Sequence, residues 1–165
     1  MNPLHLLKNR PIMILGTLGY QLNMHAYQRE SASQAINQWL QQFSPERGIT
    51  TMAPGAPQIF GQLIMHYGIP LTIVLPCHDY LDAFDNSSDL IPLAEGLAKA
   101  NHVEIMPYET PTQEGLQAAE TWIVRHCNGI IAAMDMEHSP AIRHAYQLER
   151  PIFPLPFSTM TKKMH

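Results

Sequence analysis

The chain has 165 residues, 45% of them hydrophobic and 15% charged, which fits a single domain (1–165) with a core from about 11 to 157. Ten Lys and Arg against fourteen Asp and Glu leave a net charge of −4, with no basic footprint for a nucleic-acid backbone, so nucleic acid is not an expected partner. No apolar run approaches the ~20 residues needed to cross a bilayer, and MNPLHLLKNRPIMILG lacks a signal-peptide h-region, so a cytoplasmic protein with no membrane partner is expected.

Pro11 to Gly16 (PIMILG) is a continuous apolar run ending in glycine, the pattern of a strand buried on both faces. Ala26 to Phe43 spaces Ala32, Ala35, Ile36, Trp39, Leu40 and Phe43 three and four apart, one face of a helix. Ile49 to Ala53 is a weaker strand, and Gln58 to Tyr67 sets Ile59, Leu63, Ile64 and Tyr67 on one helical side. Leu71 to Leu75 (LTIVL) is the clearest strand, rich in branched residues. A helix over Ser87 to Ala100, with Ser87 or Ser88 as its cap, precedes a short strand from Val103 to Met106. Thr112 opens a capping signal for a helix running to about His126, with Leu116, Ala119, Ile123 and Val124 inward. Ile130 to Met134, Ala141 to Leu148 and Ile152-Phe153 complete the chain as strand, helix and strand.

Strands alternating with helices, each strand apolar throughout, predict a doubly wound, mostly parallel α/β sheet of the Rossmann-like kind in a three-layer sandwich. LTIVL and IIAAM (130–134) are expected to be central and buried. In such sheets a ligand sits beyond the carboxyl ends of the strands. That rule selects Gly16 to Gln21, Ala53 to Gln58, Pro76 to Tyr80, Pro107 to Thr110 and Asp135 to Ser139.

The first of these loops, GTLGYQ, has G-x-x-G spacing and lacks the three-glycine dinucleotide fingerprint. Its glycines suit either a tight turn or backbone amides that cradle an anion. In the second loop Gly55 can take positive φ, while Pro54 and Pro57 fix the chain on either side. Pro57 in the first helical turn gives up only an N–H that has no helical partner. The outcome is a rigid turn aiming a helix N-terminus at the crevice, or simply a stiff connection.

APGAP followed by a helix, then Gly68-Ile69-Pro70 and LTIVLP, resembles the SLOG superfamily of Rossmann-like nucleotide-binding proteins. That group includes the LOG-type phosphoribohydrolases and the DNA-processing protein A family. HCNGIIAAMD (126–135) and RHAYQLERPIF (143–153) resemble its closing segments, so the likeness runs over roughly 11–157. The Pro-Gly-Gly-x-Gly-Thr-x-x-Glu motif of the LOG-type enzymes is missing, and Asp135 to Pro140 (DMEHSP) occupies its place. Pro57 stands where the family has Asp. The resemblance implies a nucleotide-like small molecule as ligand and leaves LOG-type catalysis unsupported. On that reading Gly16, Thr17, Gly19, Pro54, Gly55 and Ala56 supply backbone contacts, Tyr20 and Gln21 touch base or sugar, and His78 and Asp135 stand by.

Asp79, Glu109 and Glu137 are the candidate catalytic carboxylates, on loops that the sheet edge should gather, as a nucleophile and a general acid at a glycosidic bond require. Taken singly, each is an ordinary solvated loop acid. An N-glycosidic enzyme of the nucleoside-deoxyribosyltransferase kind and a ligand-sensing module without catalysis are the alternatives to simple binding. Nine histidines and two cysteines, Cys77 and Cys127, show no recognised ligand spacing, so neither metal nor cofactor is expected. Cys77 has no basic cluster beside it to activate the thiol. Ten methionines read as adaptable core filler. Trp122 beside Ile123 on an amphipathic helix points to a homodimer.

Overall fold

Six short strands alternate with five helices in the computed structural model, which describes residues 11–19, 24–85, 87–132 and 139–156. The strands are β1 (Ile14–Leu18), β2 (Arg47–Thr50), β3 (Leu71–Leu75), β4 (His102–Ile105), β5 (Gly129–Ala132) and β6 (Ile152–Pro154). The helices are α1 (Ala26–Phe43), α2 (Ala56–His66), α3 (Ser87–Lys99), α4 (Gln113–His126) and α5 (Pro140–Gln147), with a 3-10 turn at Tyr80–Ala83. Every ladder is parallel and the order across the sheet is β4-β3-β2-β1-β5-β6. No helix among the described residues is long and apolar enough to cross a membrane.

A right-handed crossover puts its helix on a face set by the direction in which the chain moves across the sheet. Moving outward from β1 through β2 and β3 to β4 places α1, α2 and α3 on one face. Their Ile36, Leu40, Phe60, Ile64 and Leu93 pack there with Leu15, Leu71, Ile73 and Ile131. The jump from β4 back to β5 reverses direction, so α4 and α5 cover the other face with Ile123, Val124, Ile142 and Ala145 against Leu18, Ile49, Val74 and Ile130. The result is a three-layer sandwich. LTIVL and the described part of IIAAM are buried interior strands, as their apolar runs require, but the middle pair is β2 and β1.

Boundaries differ where a polar or small residue interrupts an apolar run. β1 starts three residues later than its apolar run and continues through Thr17 and Leu18, which pair with Ile131 and Ala132. Pro11 has no N–H to offer a ladder, and Asn128 instead grips both sides of this entry: its Oδ1 accepts from Ile14 N at 2.8 Å and its Nδ2 donates to Pro11 O at 3.0 Å. β2 ends at Thr50 because the next residues turn: the Thr50 and Thr51 hydroxyls accept the N–H groups of Met52 and Ala53. Ser87 and Ser88 lie inside the first turn of α3 and do not precede it. Thr112 does cap α4, its Oγ1 accepting from Gly115 N at 2.9 Å.

Candidate functional site

The strand order defines one switch point. β1 is followed by a helix on one face and the neighbouring β5 by a helix on the other, the arrangement in which α/β sheets hold ligands in a crevice beyond the carboxyl ends of their strands. The loops after β2 and β3 both turn toward the face that carries α1, and β4 lies at the edge of the sheet, so the interior of the sheet has no second switch point.

Gly19 stands at the mouth of this crevice, directly after β1, with φ 104°, a conformation that side chains other than glycine rarely adopt. The carboxyl of Glu120, from the middle of α4, lies close enough to the Gly19 N–H to be stabilised by it. Burial against the sheet raises the Glu120 carboxyl to about 7, and the Gly19 N–H offsets this only in part. An acid that exchanges its proton near neutrality therefore sits at the switch point. Nothing in the spacing of α4 marks it. Glu120 follows the inward Ala119 and reads as a flank residue, and only the return of α4 behind β1 turns it toward the rim.

Gly16 serves packing. It lies within the sheet, paired with Ile49 and Ile130, and a Cβ there would stand 2.7 Å from Ile123 Cγ2 and 3.3 Å from Cys127 Sγ. The Thr17 hydroxyl is committed inward as well: it donates to Thr50 Oγ1 at 3.1 Å, and the Thr50 hydroxyl donates to Pro57 O at 3.0 Å. Through this buried relay β1 holds the start of α2. Tyr20, Gln21, Asp135 and Glu137 lie outside the described residues.

The second loop has the geometry that its prolines and glycine predict. Gly55 caps α2 with φ 93° and ψ −137°, and Pro57 occupies the first helical turn. Gly55, Ala56, Pro57 and Gln58 are buried and Pro54 is half-buried. Gln58 N donates to Ala53 O at 3.2 Å, and the Gln58 side chain donates to Asp89 O at 2.7 Å, tying the start of α2 to α3. The turn lies one strand from β1 and is mostly covered.

Asp79 and Glu109 come side by side. His78 N donates to Tyr108 O at 2.8 Å and Asp79 N to Glu109 O at 3.0 Å, so the loops after β3 and β4 run together. Gly115 lets α4 dock on this pair: a Cβ there would stand 2.6 Å from Pro76 O. His78, Asp79 and Glu109 are all exposed. β3 and β4 lie two and three strands from β1, roughly 10 and 15 Å at the ~4.8 Å spacing of a sheet. The two acids thus form a separate rim cluster, with Glu120 alone at the switch point among the described carboxylates.

Cys77 is fully buried. Burial pushes its thiol above the ordinary value; the Asp79 N–H opposes this in part and the Asp79 carboxylate adds to it. A thiol held this way is a poor nucleophile. Tyr80, near Thr51 and edge-on to Phe84 at 5.1 Å, has its phenol raised by burial. Among the described residues no three His, Cys, Asp or Glu side chains gather as a metal ion needs.

No protein-family model matches the sequence, and comparison with curated proteins returns no match. Solved structures do match. DNA processing protein A from Streptococcus pneumoniae superposes with a TM-score of 0.63 at 17% identity, over 87% of this chain and 50% of that one. The Helicobacter pylori protein of the same name, studied for its mode of single-stranded DNA binding, gives 0.61 at 12% identity over 87% of this chain and 65% of its own. The Moco carrier protein of Chlamydomonas rheinhardtii gives 0.51 at 10% identity over 88% and 76%. The chain thus spans about half to two thirds of the DNA processing proteins it matches. The resemblance to the SLOG superfamily holds at the level of the fold.

Proposed function

We propose that this chain binds a nucleotide or nucleotide-derived small molecule in the crevice between β1 and β5. The observation that carries the reading is the switch point itself, where β1 and β5 lie side by side with their helices on opposite faces and the Glu120 carboxyl stands by Gly19. A carboxyl at that position accepts hydrogen bonds from ribose hydroxyls or from base N–H groups when ionised, and donates one when protonated. Gly19 supplies backbone at the rim, with the half-buried Pro54 one strand away, and Tyr20, Gln21 and Asp135 follow β1 and β5 in the sequence.

Two structures of like fold, by their names, handle single-stranded DNA and Moco, which supports ligand binding by this fold. The net charge of −4 argues for the small molecule, since strand binding rests on neutralised phosphates. A thermal-shift screen of nucleotides, nucleosides, phosphosugars and a short oligothymidylate tests the reading, because a ligand that prefers the native state raises its stability by mass action. A rise in midpoint with a mononucleotide, reduced in Glu120→Gln, is expected. No rise with any small molecule at millimolar concentration, or a rise with the oligonucleotide alone, overturns it.

Hydrolysis is the second reading, favoured by one feature: an acid that titrates near 7 is matched to general acid–base work at neutral pH. Glu120 is then the proton donor, with Glu137 or the Asp79 and Glu109 pair as the remaining candidates. Release of free base from a nucleoside monophosphate, at least ~100-fold slower in Glu120→Gln, tests it; an unchanged rate in that variant removes Glu120 from the chemistry.

A further inference from the structure

The outward face of α4 carries a stripe that is its own complement. Glu114, Ala118, Thr121 and Arg125 follow one another three and four residues apart, so they stand in one row along the helix. The charged ends, Glu114 and Arg125, are exposed, and the small central pair, Ala118 and Thr121, is half-buried. Between Glu114 and Arg125 lie three turns, about 16 Å of helix. Neither is in an ion pair among the described residues; the Arg125 side chain donates from its Nε to His144 Nε2 at 3.4 Å.

Alongside the row runs an open groove of about 590 Å³, with Met106 and Tyr108 forming its far wall. Trp122 lies on the α4 side, half-buried and stacked on His126 with ring centres 3.8 Å apart. The indole packs one side against the core beneath α4 and leaves the rest of its surface to the groove.

We infer that α4 is the interface between two copies of this chain, packed antiparallel across a two-fold axis that passes between Ala118 and Thr121. The register follows from the row. An axis at that point sets Ala118 opposite the partner's Thr121, and Glu114 opposite the partner's Arg125, each pair occurring twice. Both ends of the seam then carry opposite charges face to face, while the small central pair lets the helices approach to the 8–10 Å typical of packed helices. Trp122 faces the partner's Gln117 and covers the groove beside Tyr108. A two-fold contact demands a surface complementary to itself, and a row with one acid, two small residues and one base in that order meets the demand. The parallel arrangement fails it, because acid would meet acid and base would meet base. The interface lies on the helical face away from the β1–β5 crevice and is independent of the ligand reading.

The test is sedimentation velocity on the full chain across a concentration series, for wild type, Glu114→Arg, Arg125→Glu and the double reversal, with circular dichroism confirming each fold. Wild type should dimerise, less tightly as salt rises, each single reversal should weaken the dimer at least ~10-fold, and the double reversal should recover it, since like charges face each other only in the single variants. A wild type monomeric throughout overturns the interface, as does a dimer indifferent to both single reversals, or a double reversal as weak as the singles. Ala118→Arg probes the seam separately: a folded Ala118→Arg chain that dimerises like wild type overturns it too.

Discussion

Gly115 lacks a Cβ because the carbonyl of Pro76 stands where one would go, 2.6 Å away. In an open helix Gly→Ala gains up to about 1 kcal/mol from propensity. Here the clash is with backbone, which cannot swing aside, so Gly115→Ala should lower the unfolding free energy by about 1–3 kcal/mol, the usual range for overpacking. Denaturant titration reads this directly, and a stabilised variant would show that the loop after β3 yields. Met52 shows the softer version of the same constraint. Its thioether fills the space beside Gly61 and Gly96, and a Cβ on Gly61 would meet its Sδ. Met52 itself takes φ 57° to reach there, so one of the chain's methionines is a shaped plug between α2 and α3. The two thiols complete the residue-scale account. Cys77 is fully buried, Cys127 nearly so, and burial raises the Cys127 thiol to about 12 despite Arg150 nearby. Neither should react with an aromatic disulfide reagent at pH 8 in the native state, and both should react at once in denaturant. Rapid native labelling at Cys77 would contradict the packing around it.

At the scale of elements, the turn into α2 combines a glycine-only conformation with two prolines, and all of it packs inward except Pro54. Gly55→Ala forces a Cβ into φ 93°, ψ −137°, a strain of about 1–3 kcal/mol. Its thermal midpoint should fall whether or not a ligand is present; an unchanged midpoint would mean that the turn relaxes to an ordinary connection. The same turn shows what the sequence discloses. Pro54, Gly55 and Pro57 announce their backbone because each restricts or frees φ locally, and LTIVL announces burial because no polar residue interrupts it. The helix over Ala26–Phe43 is legible for the same reason, its apolar residues recurring at helical spacing. Glu120 discloses nothing. Its place at the crevice depends on β5 lying next to β1, a non-local pairing that no spacing along α4 encodes. Asp79 and Glu109 are the converse case: they follow two strands and so look alike, yet the strand order sets their cluster two and three strands from β1.

At the scale of the whole molecule, Glu120 should leave a mark on stability against pH. Its folded value near 7 lies above the ordinary 4.5, so the native state holds a proton that the unfolded chain has already released. Below pH 4.5 both states are protonated and the group contributes no penalty. As pH rises from 4.5 the unfolded chain ionises first, the native state is progressively disfavoured, and the loss is complete once pH passes about 7. Partial access to solvent softens the effect to the order of 1–2 kcal/mol. Other carboxylates and the histidines titrate across the same range, so the absolute profile does not isolate Glu120, whereas the difference from Glu120→Gln does. The amide keeps an oxygen for the Gly19 N–H and cannot ionise. Denaturant midpoints should therefore differ little between wild type and Glu120→Gln at pH 4.5 and separate between pH 5 and 7, with the variant the more stable at pH 8. A difference that stays flat from pH 4.5 to 8 would place the Glu120 carboxyl in open water, and with it would go the neutral-pH acid at the switch point. A ligand that binds only the ionised carboxyl should shift the wild-type profile toward the variant's, joining the stability measurement to the occupancy of the crevice.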